Sequence, residues 1–390
     1  MFLPFLRFSK PPPGLSEYTC AVKAYRTMLL SVALGMAAIY LPAQQSGPWQ
    51  IGPFTRPVTG NPILKPNTAS TFVDPILQQP VHWEALHAFN PAAIVRNGRI
   101  FVLYRAEDDS GTMEIGGHTS RLGLAESADG VTYTKRPAPV FYPTTDAQQS
   151  REWPGGDEDP RLVEAPDGTY VLTYTQWNRV TYSVGIATSP DLLHWTKQGP
   201  AFGTTGKYAK LMYKSAGIVT HLVGDRLVAV QINGHYWMYW GEGVIRLATS
   251  PDLIHWTPVE DASGAPIEVL RPRPGHFDSS FPEVGPPPVL TKAGIVVLYN
   301  GKNATGAEGD PNLGPNAYAA GEALFDPKNP AHRLEQTSGP VLKPEEAYEK
   351  TGQYAAGTTF AEGLVSFHHR WFLFYGCADS LVGVVTAPQP

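Results

Sequence analysis

A ten-residue segment that recurs almost unchanged is the tightest constraint on how this chain can fold. Ala187-Thr188-Ser189-Pro190-Asp191-Leu192-Leu193-His194-Trp195-Thr196 returns as Ala248-Thr249-Ser250-Pro251-Asp252-Leu253-Ile254-His255-Trp256-Thr257. A looser third copy runs Ala125-Glu126-Ser127-Ala128-Asp129-Gly130-Val131-Thr132-Tyr133-Thr134. The copies lie about 60 residues apart, a spacing that marks a repeat architecture built from stacked supersecondary units. The repeated Asp and Trp have a scaffold explanation: Asp191 and Asp252 accept backbone N–H bonds in a turn, and Trp195 and Trp256 pack between sheets. His194 and His255 recur with them and follow the scaffold rather than a single site.

A second signature, a turn followed by an alternating apolar strand, occurs in five places. Asn97-Gly98 precedes Ile100 to Tyr104, Asp167-Gly168 precedes Tyr170 to Tyr174, and Gly224-Asp225 precedes Leu227 to Val230; Gly294 and His369-Arg370 introduce the last two. Between copies no segment holds a 3.6-residue period, so each reads as a hairpin turn and a half-buried strand. Dividing residues 61–390 by five leaves about 66 residues per unit, room for a four-stranded sheet. The expected fold is all-β, a five-bladed β-propeller, with two packed β-sandwich domains as the alternative. The 38 Gly and 38 Pro among 390 residues agree with a turn-rich chain and exclude a long-helix protein.

Thirty Lys and Arg against 35 Asp and Glu give a net charge of −5, and no basic run could follow a phosphate backbone, so nucleic acid is not an expected partner. Lys23 and Arg26 precede an apolar run from Met28 to Leu41, and a small-residue pattern ends at Ala43, the order of a secretory signal. Spanning a bilayer takes about 20 apolar residues, more than this run supplies, so stable membrane insertion is not expected. The expected organisation is a signal over 1–43, an N-terminal extension over 44–60 and a catalytic propeller over 61–390, in an exported, periplasmic or extracellular protein. Of Cys20 and Cys377 only the second would remain after cleavage, which leaves no disulfide framework and no cysteine metal site.

Because a propeller gathers its inner strands around one axial pocket, function should reside in polar residues that break the repeat. Gly155-Gly156-Asp157-Glu158-Asp159-Pro160-Arg161 places three carboxylates and an arginine beside a strand. Crowded carboxylates raise one another's pKa toward the general-acid range, and Arg161 would hold one ionised; a solvated acidic turn is the plain alternative. Glu242 and Glu283 are single acids in aromatic, Gly and Pro surroundings, costly to bury without a use or a partner. With Asp159 they suggest the two-carboxylate chemistry of glycoside hydrolysis, one acid for the leaving oxygen and one base for water. Arg121, Arg161 and Lys214 are candidate anion binders or neutralisers of an acidic pocket, and His276 and Tyr239 are candidates for its outer wall. His368-His369 lacks further ligands at metal spacing, and neither a metal nor a cofactor is expected.

Five segments in register, Asn90-Pro91-Ala92, Tyr104-Arg105-Ala106, Ser120-Arg121-Leu122-Gly123, Glu158-Asp159-Pro160-Arg161 and Tyr375-Gly376-Cys377-Ala378-Asp379, resemble glycoside hydrolase family 130, the β-mannoside phosphorylases and β-1,2-mannosidases. The resemblance runs from about Asn61 to Val385 and implies a five-bladed propeller. It also implies Asp159 as proton donor, with Asn90, Arg105 and Asp379 on the mannosyl ring; their scaffold alternatives are a turn residue, an ion pair and a strand-end cap. The family's phosphorylases carry basic side chains where phosphate attacks, whereas its hydrolases carry two glutamates, a role that Glu242 and Glu283 resemble. The expected function is an inverting β-mannosidase acting on β-1,2-linked mannosides. A mannoside phosphorylase and a non-catalytic glycan-binding propeller are the alternatives.

Overall fold

The computed structural model describes residues 47–389, and their regular structure is almost entirely β. The expected signal segment lies outside the described residues. Among the described residues no helix is long and apolar enough to cross a membrane.

The strands group into five blades in chain order, with short parallel pairings linking the inner part of one blade to the next. Blade 1 holds His87–Arg96, Arg99–Glu107, Ser120–Ser127 and Thr134–Lys135, and blade 2 holds Gly156–Glu164, Tyr170–Trp177, Tyr182–Ser189 and Thr196–Pro200, each as an antiparallel meander. In blade 3 the inner strand is split into Ala216–Ile218 and Thr220–Val223, which pair with His235–Trp240 and Arg226–Ala229 respectively. Blade 4 runs from Phe281–Val284 through Ile295–Lys302 and Tyr318–Asp326 to Asn329–Gln336. Blade 5 comprises Thr359–Phe367, Arg370–Cys377 and Leu381–Pro388.

The apolar core shows that these sheets close into a ring. It divides into five clusters, each lying between two consecutive blades. Leu103, Leu122, Leu172 and Tyr174 join blades 1 and 2; Val163, Ile186, Ile218 and Met238 join 2 and 3; Tyr239, Leu247, Val297 and Tyr299 join 3 and 4. Leu298, Ala320, Leu373 and Tyr375 join 4 and 5. The fifth cluster, with Val102, Tyr104, Phe374 and Val384, joins the last blade to the first. Two separate sandwiches would leave no such cyclic order. Inner strands covered on both faces lose the usual alternation: every residue of Gly156–Glu164 and Thr359–Phe367 is buried.

The segment expected as an extension takes part in this closure. Thr55 pairs with Thr386 and Leu64 with Val382, both antiparallel, so the start of the described chain supplies the outer edge of blade 5. Asn61 exchanges two bonds with the Val384 backbone, 2.8 and 3.0 Å, and Arg56 clamps the buried Glu349 carboxylate through two bonds of 2.8 and 2.9 Å. Trp49 and Ile51 enter the cluster between blades 4 and 5.

The decapeptide repeats form one turn three times. The hydroxyls of Ser189 and Ser250 accept N–H bonds from the residues two and three positions on, and Asp191 and Asp252 accept the next pair, at 2.8–3.2 Å throughout. Gly130, Leu192 and Leu253 occupy the same left-handed position, with φ of 75°, 70° and 68°. His194 and His255 cap their own turn aspartates and are largely exposed.

Candidate active site

Proline explains how the inner strands aim polar groups at the axis. Pro91 and Pro160 have no N–H for the ladder, and the strand pairing slips at both, between Phe89 and Pro91 and between Glu158 and Arg161. The preceding Asn90 and Asp159 adopt φ of 45° and 47°, a conformation that Asn and Asp tolerate best among non-glycine residues. Ser215 does the same at the entrance to blade 3, with φ 58°. At each bulge the side chain leaves the pleat.

These bulges open on a cleft of about 340 Å³ to which all five blades contribute. Asn90, Arg105, Glu158 and Asp159 form one end, and Lys214, Glu242 and Glu283 another; Asp379 enters from the hairpin of blade 5. Asn90 Nδ2 donates to Asp159 Oδ1 at 2.9 Å, and Arg105 Nη1 donates to the same oxygen at 3.1 Å. Arg105 Nη2 also reaches Glu107 and Glu158, at 2.6 and 2.7 Å, while its plane lies 4.7 Å from the Phe89 ring centroid. Gln353 donates to the Asp379 carbonyl at 2.9 Å and so fixes that hairpin. Trp177, Tyr182, Tyr318 and Tyr354 supply aromatic walls.

At the other end Glu242 and Glu283 face each other across an isolated antiparallel bridge. Lys214 Nζ sits 3.6 Å from Glu242 and 3.4 Å from Glu283, between the two carboxylates. Ser215 donates to Glu283 Oε1, and Glu283 Oε2 is buried without a hydrogen-bond partner.

Five carboxyl groups thus share one cleft with two cations, and burial separates their proton affinities. Desolvation pushes Glu158 up to about 7 against the pull of Arg105, and Asp379 up to about 7 for the same reason. Desolvation also lifts Glu283 to about 7, with Lys214 opposing and Glu242 assisting. Asp159 goes the other way. Burial would raise it, but Arg105, Lys214 and Arg161 together outweigh burial and hold its carboxyl near 2. The upward shift expected for this acidic cluster therefore falls on Asp157 and Glu158, of which only Glu158 lines the cleft, and not on Asp159. The clamp was invisible in sequence, because Arg105 and Lys214 come from other blades.

The anion-binding roles expected of Arg121 and Arg161 and the wall roles expected of His276 and Tyr239 are corrected. Arg121 is fully buried away from the cleft, paired with Asp74 at 2.6 Å and Asp108 at 2.7 Å, because the strand pleat turns it outward. Arg161 lies beneath the cleft: it pairs with the buried Glu362 at 2.9 Å and donates to the carbonyls of Asp159, Val284 and Gly285. It binds scaffold, leaving no face for an anion, and of its two expected roles it keeps that of neutraliser, since it helps hold Asp159 ionised. His276 turns onto the Pro274 carbonyl at 3.1 Å and is not part of the cleft wall, and the Tyr239 hydroxyl donates to Pro330 inside the cluster between blades 3 and 4. The sequence cluster marked Glu158 without giving it a role of its own, and Gln353, Tyr318, Tyr354 and Glu362 were passed over. Glu362, a lone acid in Phe360-Ala361-Glu362-Gly363-Leu364, carried the same signal as Glu283.

Carboxylates, an arginine and aromatic walls around one cleft match the hydroxyls and the faces of a sugar. The profile of glycoside hydrolase family 130, described as beta-1,4-mannooligosaccharide phosphorylase, matches residues 55–389, and the chain belongs to that family. The chain is 31% identical over 306 residues to a 1,2-beta-oligomannan phosphorylase of Thermoanaerobacter sp. (strain X514), covering 77% of this chain and 90% of the relative. Among solved structures, one described as "The GH130 family of mannoside phosphorylases contains glycoside hydrolases that target beta-1,2 mannosidic linkages in Candida mannan" is 46% identical, with a TM-score of 0.86 over 88% of this chain and 98% of that one. A glycosyl hydrolase from Bacteroides ovatus is also 46% identical, with a TM-score of 0.85 over 89% and 99% of the two chains.

Proposed function

We propose that this protein is an exported, inverting β-mannosidase that hydrolyses β-1,2-linked mannosides. The observation that carries the reading is the Glu242 and Glu283 pair at one end of the cleft, with a single lysine between them. A phosphate dianion entering there would meet two carboxylates and one ammonium group, whereas a water molecule would find acceptors for its proton. A Glu283 carboxyl near 7 is poised at neutral pH, where a base both accepts and releases protons readily. The greater likeness to structures described as hydrolases, 46% identity against 31% for the named phosphorylase, supports the same choice.

In this mechanism Asn90, Arg105 and Asp379 hold the terminal mannosyl ring at the Asp159 end. The Glu242 and Glu283 pair orients and deprotonates water on the opposite face of the anomeric carbon. Asp159, held near 2 and ionised in the free protein, takes up a proton from solvent as the sugar fills the cleft. It passes that proton to a hydroxyl of the mannosyl ring while this hydroxyl gives its own to the departing oxygen, and the proton taken from water leaves to solvent from the glutamate pair. Attack by water from the face opposite the leaving group inverts the anomeric centre. Proton NMR of the first turnover in D2O tests this: α-mannose should precede its β-anomer, and β-mannose appearing first contradicts inversion.

Phosphorolysis is the second reading, favoured by Lys214 and by the name of the Thermoanaerobacter relative. It predicts mannose 1-phosphate in place of free mannose.

A further inference from the structure

Beside the cleft, blade 1 brings together three metal-ligating side chains that the mechanism does not use. His87 and Glu107 are direct cross-strand partners where the first two strands of the blade begin and end, and His118 stands two residues before the third strand. One donor atom from each of the three lies within 4.8 Å of the others. We propose that His87, Glu107 and His118 form a binding site for a divalent first-row metal ion, zinc being the best chemical match, that pins the 108–118 loop against the cleft.

The donor groups are prepared for this. His118 Nδ1 lies 2.7 Å from the Ser110 carbonyl, which can only accept, so Nδ1 carries the proton and Nε2 keeps its lone pair. A carbonyl behind the ring is the usual support for a metal-bound histidine. His87 Nδ1 is buried and has no hydrogen-bond partner, an expensive state for a ring nitrogen that an ion would relieve. Glu107 is buried; one oxygen accepts from Arg105 and the other from Gln353 at 3.1 Å, which leaves each a further lone pair.

Two imidazoles and a carboxylate make a common three-ligand zinc set, with a fourth position for water. Tetrahedral bonds of about 2.0–2.1 Å put donor atoms about 3.4 Å apart, so the imidazole rings must swing inward by about 1 Å. The loop they would secure carries Ile115 and Gly116 into the cleft wall, and the Gly116 carbonyl accepts from Trp177 at 3.0 Å. Through Glu107 the ion would also bear on Arg105, which holds Asp159. Outside the cleft, it would order the wall and touch no reacting atom.

Calorimetric titration of EDTA-stripped protein with ZnCl2 tests the site, with CoCl2 as a coordination reporter. One equivalent per chain, intense visible cobalt bands of a tetrahedral complex and at least tenfold weaker binding in His87→Ala and His118→Ala are expected. Hydrogen exchange of amides 109–118 should slow when zinc binds. Absence of stoichiometric binding by the unmodified protein overturns the proposal without reliance on any variant. Unchanged affinity in both variants moves the ion elsewhere, and unchanged loop exchange removes its pinning role.

Discussion

Asp159 shows how a residue's role depends on groups far away in the chain. Its oxygen Oδ1 takes bonds from Asn90 and Arg105, contributed by the preceding blade, and Lys214 from the next adds charge. Asp159→Asn keeps the shape but removes the carboxyl that passes a proton to the sugar hydroxyl. We expect kcat to fall by at least about 10³-fold, within the scale of losing a proton-transfer group, while the melting temperature changes by a few degrees; unaltered turnover would assign the proton transfer elsewhere. The raised acids make a separate forecast. Glu158, Glu283 and Asp379 titrate near 7 when folded and near 4 when unfolded, so the folded state binds their protons more tightly. Their stabilisation is complete below about pH 4 and is lost as pH rises through 7. Asp159 works in the opposite sense, adding stability above its unfolded value and losing it as pH falls toward 2. Thermal melts should therefore show stability declining between pH 5 and 8, and Glu283→Gln should flatten that decline. A melting temperature rising over the same interval would contradict the shifts.

Among the elements, the inner strands carry the chemistry, and one buried ion pair ties three of them. Arg161 on blade 2 meets Glu362 on blade 5 and two carbonyls at the end of the blade 4 strand that bears Glu283. Arg161→Met strips the donor from three buried carbonyls and from Glu362, so it should cost about 3–5 kcal/mol; Glu362→Gln should cost less, since burial already favours the neutral form there and the amide keeps a hydrogen-bond acceptor. Denaturant unfolding measures the stability loss, and a kcat reduced beyond the change in KM would show that the pair also aligns the site. The strands themselves were legible in the sequence because Asn-Gly and Asp-Gly turns and alternating apolar residues are local signals. The bulges were less so. Asn90-Pro91 and Asp159-Pro160 announced a break in pairing, but where the freed side chain points depends on neighbouring blades. Arg121 and Arg161 share a motif context with functional residues and still face scaffold, since a one-residue step along a strand reverses the face.

At the scale of the whole molecule, five copies of the turn-and-strand signature fixed the blade number, and about 66 residues per copy leave room for one four-stranded sheet. What the repeat could not reveal was the closure: residues 55 and 64 pair with the last strand, and nothing local in that Pro-rich segment marks it as a strand edge. Deleting residues 47–64 should expose the blade 5 edge, lower the melting temperature by more than 10 °C and promote association; a truncated protein as stable as the parent would deny the closure its weight. The central claim concerns the cleft as a whole, whose paired glutamates make water rather than phosphate the acceptor. Its most direct test is product analysis after incubation with β-1,2-mannobiose, with and without inorganic phosphate. The account predicts free mannose at the same rate in both, and mannose 1-phosphate formed only when phosphate is present would contradict it.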